Sequence, residues 1–235
     1  MADDVEAVGR LVARLVGDAA PAVLGVATGS SPEPAYRELV ATRGLATSTH
    51  LCLLDEYVGL PHNHPQRYRQ VIQRELAGPL GIEQVHAPDV DADDLDEAAA
   101  EYERLLDELG GVDVQLLGIG RNGHIGFNEP GTFFNSVTHV ATLTETTRND
   151  NARFFDHPGD VPHKVITQGL ATISRARSLV LIATGASKRR AVNQLVSGEV
   201  STLCPATSLS NHPELTIVGD RLALDGIDRT LEDHS

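Results

Sequence analysis

The sequence predicts an α/β protein of three layers, a mostly parallel central sheet covered by helices on both faces. Two observations carry this expectation. Short apolar runs alternate along the chain with amphipathic helical patterns, as successive βαβ units require. Four of the runs lead into polar, glycine-bearing loops, and in open parallel sheets the loops at the carboxyl ends of the strands share one edge, where ligands bind. With 235 residues and no linker or composition shift, residues 1–235 are read as one domain.

The elements follow in order. Val5, Val8, Leu11, Val12, Leu15 and Val16 recur at helical spacing, so the chain opens with a helix that ends near Gly17. Strands are expected at 22–27, 50–54, 112–117, 138–143, 178–183 and 215–218. Helices are expected at 33–41, 66–76, 93–109 and 188–196. The acidic start Met1-Ala2-Asp3-Asp4 is no basic leader, and no apolar run reaches bilayer length, so a cytoplasmic protein without membrane partners is expected.

A formal net charge of −14 argues against nucleic-acid binding, which needs clustered Lys and Arg. A small anion remains an acceptable partner if its cations are local. Lysine occurs only at Lys164 and Lys188, which draws attention to Lys188 inside a loop motif. Cys52 and Cys204 stand in unrelated contexts and are read as buried or half-buried thiols.

The run Gly118-Ile119-Gly120-Arg121-Asn122-Gly123-His124-Ile125-Gly126-Phe127-Asn128-Glu129-Pro130 follows the 112–117 strand. His124 is a side chain that takes and gives protons near neutral pH, and Asn122 and Glu129 are groups able to orient an imidazole. A lone histidine is more often structural; its flanking glycines, carboxamide and carboxylate favour catalysis here. Asp55-Glu56 emerges from the 50–54 strand; a helix cap or a salt bridge is the commoner role for such a dipeptide, and a general base raised by partial burial also fits. Thr28-Gly29-Ser30-Ser31 fits a phosphate cradle or a capped turn equally, without the spacing of a Walker loop. Thr184-Gly185-Ala186-Ser187-Lys188 repeats that grammar and adds an ammonium group at a helix start, which a bound anion would explain. Arg148 and Arg153 are five apart and do not share one helical stripe, so only one is expected to point into a site; Arg153, beside Phe154 and Phe155, suits equally a lid that brings clamp and cover together and a surface arginine beside a core aromatic pair. A lid is expected near 145–170. His62-Asn63-His64 has a metal-like spacing but no evident third ligand, so no metal site is expected.

Taken together and in order, Thr28-Gly29-Ser30-Ser31-Pro32, Asp55-Glu56-Tyr57-Val58-Gly59-Leu60, Gly123-His124-Ile125-Gly126-Phe127-Asn128-Glu129-Pro130, Asn151-Ala152-Arg153-Phe154-Phe155 and Gly185-Ala186-Ser187-Lys188 resemble the glucosamine-6-phosphate deaminase (isomerase) family. The resemblance spans nearly the whole chain. It implies a modified Rossmann-like fold, conversion of D-glucosamine 6-phosphate and water to D-fructose 6-phosphate and ammonia, and no metal or organic cofactor. It implies that His124, oriented or tuned by Asn122 and Glu129, opens the sugar ring, and that Asp55 moves the proton between C2 and C1. Thr28, Gly29, Ser30, Ser31, Arg153 and Lys188 would hold the phosphate. A monomer or small homo-oligomer is expected.

The chain departs from the family pattern in three places. Asn122 stands where some members carry aspartate, so a lower histidine pKa is expected. The segment Ser136-Val137-Thr138-His139 lacks the basic residues of members under allosteric control, and the chain stops soon after Leu231, short of their longer tail. No activation by an N-acetylated amino-sugar phosphate is therefore expected. A 6-phosphogluconolactonase is the nearest rival, but its relatives continue the Gly-His loop with Ser-Leu-Phe-Pro where this chain has Phe127-Asn128-Glu129-Pro130. A deaminase for the galactosamine epimer is a second alternative, and a sugar-phosphate-sensing domain is the non-enzyme alternative.

Overall fold

The computed structural model describes residue 2 and residues 4–227. The expectation resting on the end of the chain after Leu231 falls outside the described residues, as do Met1 and Asp3 of the acidic start. The first helix, α1 (Val5–Ala19), begins because the Asp4 carboxylate accepts the Ala7 N–H at 2.7 Å, and it ends on left-handed Ala20. Val8, Val12 and Val16 form its buried stripe. Strand β1 (Val23–Val26) leads to α2 (Glu33–Thr42), whose Tyr36 hydroxyl donates to the Ala27 carbonyl at 2.6 Å and so fixes the turn after β1. Next come β2 (His50–Leu53) and β3 (Asp55–Tyr57), with a bend at Leu54 between them.

A broken helix follows: α3 (Tyr68–Ile72), a π turn (Gln73–Ala77) and α4 (Gly78–Leu80). Pro79 explains the break, because it has no N–H to give the carbonyl of residue 75 and its ring crowds that carbonyl. The widened turn is closed instead by the Gly78 N–H on the Gln73 carbonyl. After it come β4 (Val85–His86), α5 (Leu95–Glu108), β5 (Val114–Gly118) and β6 (His139–Thr142). Beyond β6 the chain forms α6 (Glu145–Asn151), two 3₁₀ turns (Ala152–Phe154 and Pro158–Asp160), β7 (Lys164–Thr167) and α7 (Leu170–Ser174). The last elements are β8 (Ser178–Ala183), a 3₁₀ turn (Ala186–Lys188), α8 (Arg189–Val196), another 3₁₀ turn (Pro205–Leu209) and β9 (Leu215–Gly219).

Six strands form a wholly parallel sheet in the order β4-β2-β1-β5-β8-β9. Their side chains alternate between two cores. Leu24, Val26, Leu51, Leu53, Leu116 and Ile182 face α1, α2 and α3, whereas Cys52, Leu117, Leu179 and Leu181 face α5, α7 and α8. This is the expected three-layer architecture. One strand is placed differently from the sequence expectation: β6 joins a second, antiparallel sheet of order β3-β7-β6. That small sheet is built where β3 leaves the line of β2, and it carries the Asp55-Glu56 pair in a strand rather than a loop. The strand order reverses between β1 and β5, so the loops after these two strands flank the crevice where open sheets bind ligands.

Candidate active site

A cavity of about 750 Å³ opens at that crevice. It is bordered by Thr28, Gly29, Ser30 and Ser31 after β1, Asp55 and Tyr57 of β3, and Gly120, Arg121 and His124 after β5. Thr147, Asp150, Asn151, Arg153, Phe154 and Phe155, from α6 and the turn that follows it, and Thr184, Ser187 and Lys188 after β8, also border it, and Tyr68, Arg74 and Glu75 line it from the broken helix. The four polar loops thus meet at one edge. Asn122 and Glu129 do not border the cavity; they stand behind His124.

Asp55 is buried, and burial, with the neighbouring Glu56 charge adding to it, pushes its carboxyl up to about 8. A carboxyl group at that level holds its proton through most of the neutral range, and its ionised form, once reached, is a stronger base than an ordinary carboxylate. Glu56 has a different task. Its carboxylate accepts the N–H groups of Tyr57, Tyr68 and Arg69, each at 2.8 Å, and so caps the start of α3. The cap reading of the Asp-Glu pair is realised in Glu56, while Asp55 faces the cavity.

The His124 ring rests on the backbone at Gly120, where a β-carbon would collide with it. Gly123 turns with φ of +84°, and a β-carbon there would collide with the Cys204 sulfur as well. Asn128, fully buried, donates to the carbonyls of Ile125 at 2.9 Å and Gln168 at 2.8 Å, tying the loop to the end of β7. His124 Nδ1 is buried with no hydrogen-bond partner among the described residues, and Glu129 Oε2 lies 3.9 Å away. Burial holds the imidazole below its usual pKa; the Glu129 charge opposes this, and Lys188 reinforces it. Asn122 does not touch the ring. Its oxygen accepts the His124 backbone N–H at 3.2 Å, and its amide donates to Glu129 at 2.9 Å.

Glu129 has a further partner that the sequence did not signal in advance, Thr147 of α6, whose hydroxyl bonds the carboxylate closely. The helix cap is the available clue: Thr144 caps α6 through the Thr147 N–H at 3.2 Å, which turns a second hydroxyl toward the same place. Arg148 and Arg153 separate as expected. Arg148 donates to the Val161 carbonyl at 3.2 and 3.1 Å, whereas Arg153 reaches Ser30 Oγ at 3.4 Å and lies 4.7 Å over the Phe154 ring. Lys188 is half-buried, and burial first, then the charges of Arg121 and Arg153, hold its ammonium below the usual value. Phe155 packs edge-on to Tyr57 at 5.8 Å and stacks on His64 at 5.9 Å. His64 therefore belongs to the apolar rim. No group of three or more His, Cys, Asp or Glu among the described residues is arranged to hold a metal ion. Both cysteines are buried and free.

Residues 2–217 match the family described as glucosamine-6-phosphate isomerases/6-phosphogluconolactonase. The chain is 52% identical over 207 residues to a glucosamine-6-phosphate deaminase of Pseudarthrobacter chlorophenolicus, covering 86% of this chain and 80% of that one. It is 50% identical over 227 residues to the Streptomyces avermitilis protein of the same name, covering 93% and 86%. Among solved structures it superposes on a monomeric glucosamine-6-phosphate deaminase of the NagB superfamily with a TM-score of 0.90 and 41% identity, over 94% of this chain and 96% of that one. A 6-phosphogluconolactonase from Trypanosoma brucei superposes with a TM-score of 0.76 at 18% identity over 97% of each chain, a likeness of fold alone.

Proposed function

The chain belongs to the glucosamine-6-phosphate isomerase/6-phosphogluconolactonase family, and we propose that it is a glucosamine-6-phosphate deaminase, converting D-glucosamine 6-phosphate and water to D-fructose 6-phosphate and ammonia. The observation that carries the mechanism is the placement of Asp55, a buried carboxyl pushed up to about 8, on the wall that it shares with His124 and the Arg153 and Lys188 cations. A lactone hydrolysis needs no carbon acid to be deprotonated, whereas an aldose-ketose isomerisation does.

Ser30, Ser31, the Thr28 and Gly29 loop, Arg153 and Lys188 hold the phosphate, which fixes one end of the sugar so that C1 and C2 meet Asp55. His124, neutral because burial depresses its pKa, takes the proton of the ring hydroxyl and returns one to the ring oxygen, opening the ring. Asp55, in its ionised form, then removes the proton at C2 and delivers it to C1, while a proton of the amine passes to the C1 oxygen, so that the aldehyde becomes an alcohol and the amine-bearing carbon an imine. Water adds to that carbon and ammonia leaves, which balances the overall reaction. Asn122 and Thr147 hold Glu129, and Glu129 favours the imidazolium that forms transiently. The segment 145–170 serves as the lid, with Phe155 as its apolar cover. Residues 1–235 act as one domain and as a monomer, in keeping with the monomeric neighbour. Because a phosphate charge keeps such a substrate inside the cell, the cytoplasm is the proposed location.

Incubation of the purified chain with glucosamine 6-phosphate, with ammonia and fructose 6-phosphate quantified together, tests this reading. Equal amounts of the two products are expected, with galactosamine 6-phosphate and 6-phosphogluconolactone turned over far more slowly in parallel. Turnover of either comparator in place of the glucosamine substrate would reassign the specificity.

A further inference from the structure

Arg121 and Asp150, 29 residues apart, form an ion pair across the cavity wall. Arg121 Nη2 lies 2.7 and 2.9 Å from the two carboxylate oxygens. Their side chains are 57% and 52% exposed, and a surface pair of that kind contributes little to stability by itself. Both residues border the cavity, and both act on the phosphate-end lysine: the Asp150 charge favours the Lys188 ammonium, while Arg121 and Arg153 oppose it. At this end of the cavity Lys188, Arg121 and Arg153 stand together, and the single Asp150 carboxylate among them leaves two positive charges over. A phosphate monoester carries about −1.5 to −2 near neutral pH.

We propose that Arg121 is a further phosphate-holding residue, kept by Asp150 in the free protein and handed to the substrate's phosphate on binding. Asp150 stands in for the anion until then. The inference rests on the reading of this cavity as a sugar-phosphate site. In the free protein Arg121 offers Asp150 only one of its nitrogens, Nη2, whereas a guanidinium group can offer two to the oxygens of a phosphate, so the exchange replaces these hydrogen bonds with at least as many. The helix that carries Asp150 does not depend on this pair, because Thr147 ties it to Glu129 and Arg148 ties it to the Val161 carbonyl.

Calorimetric titration with inorganic phosphate, together with KM for glucosamine 6-phosphate, tests the proposal on Arg121→Gln, Arg121→Lys, Asp150→Asn and the Arg121→Gln/Asp150→Asn double variant. Removing the competitor and removing the cation must act in opposite directions. Asp150→Asn is expected to tighten phosphate binding by ~3-fold, and Arg121→Gln to weaken it by ~10-fold with KM rising far more than kcat falls. Arg121→Lys should recover part of the loss, and the gain from Asp150→Asn should vanish in the double variant. Parallel weakening in both single variants, as a structural clasp would give, or no change in either, overturns the proposal. The phosphate titration reads Arg121 without the sugar, so failure of the wild-type chain to turn over glucosamine 6-phosphate would overturn the deaminase reading separately.

Discussion

Desolvation at the cavity wall governs Asp55. In the unfolded chain this carboxyl ionises near 3.8, and in the folded protein near 8. Between those values the folded state holds the proton more strongly, so this group's contribution to stability is greatest at low pH and is lost as pH rises toward 8. Asp55→Asn should therefore abolish exchange of the C2 proton with solvent and, at pH 8, stabilise the free protein by roughly 1–3 kcal/mol, a value discounted for water in the open cavity. Proton exchange read by NMR and thermal unfolding from pH 5 to 8 check both parts; exchange at the parent rate would remove Asp55 as the base. His124 titrates with the opposite sense. Its depressed pKa makes protonation costly to the fold as pH drops below the ordinary 6.5. Sequence reading found both residues, because an imidazole and a carboxylate after apolar strands carry chemistry in their residue type. It did not find Arg121, Asp150 or Thr147, whose partners lie 29 and 18 residues away.

Two adjacent carboxylates diverge because they sit on a strand. Successive side chains of β3 point to opposite faces, which sends Asp55 to the cavity and Glu56 to the start of α3. The strand itself exists because β7 pairs with it and is in turn backed by β6, contacts too distant in sequence for a three-residue run to announce. Glu56 satisfies three N–H groups and opposes the positive end of the helix. Glu56→Ala should lower stability by roughly 2–4 kcal/mol, since buried donors are left unpaired, and chemical denaturation measures it. A loss under about 0.5 kcal/mol would show that water replaces the cap. The π turn has a similar origin. Pro79 is visible in the sequence, but the carbonyl it deprives is relieved only once the helix is built and can widen.

At the scale of the whole molecule, a strongly acidic chain brings Arg121, Arg153 and Lys188 together at one edge of its sheet, which gives the cavity a local attraction for an anion against the net charge. The segment Ser136-Val137-Thr138-His139 carries no lysine or arginine; Val137 is 47% exposed, and His139 Nδ1 lies 2.8 Å from the Val137 carbonyl. Glucosamine 6-phosphate kinetics should be hyperbolic, and unchanged in shape by an N-acetylated amino-sugar phosphate. A steady-state titration with and without that effector checks this, and a sigmoidal curve that it straightens would show a regulated oligomer. The sequence by itself determined the α/β class, the parallel strands and the four loops that matter, because period and turn chemistry are local properties written residue by residue. It also determined which residues have the chemistry for proton transfer and phosphate binding. Tertiary structure alone decided that β6 leaves the main sheet, that Glu56 caps while Asp55 faces the cavity, and that Asn122 reaches Glu129 rather than the imidazole. Those outcomes depend on which groups lose water and which partners arrive from distant parts of the chain, and burial and pairing of that kind exist only once the layers have closed.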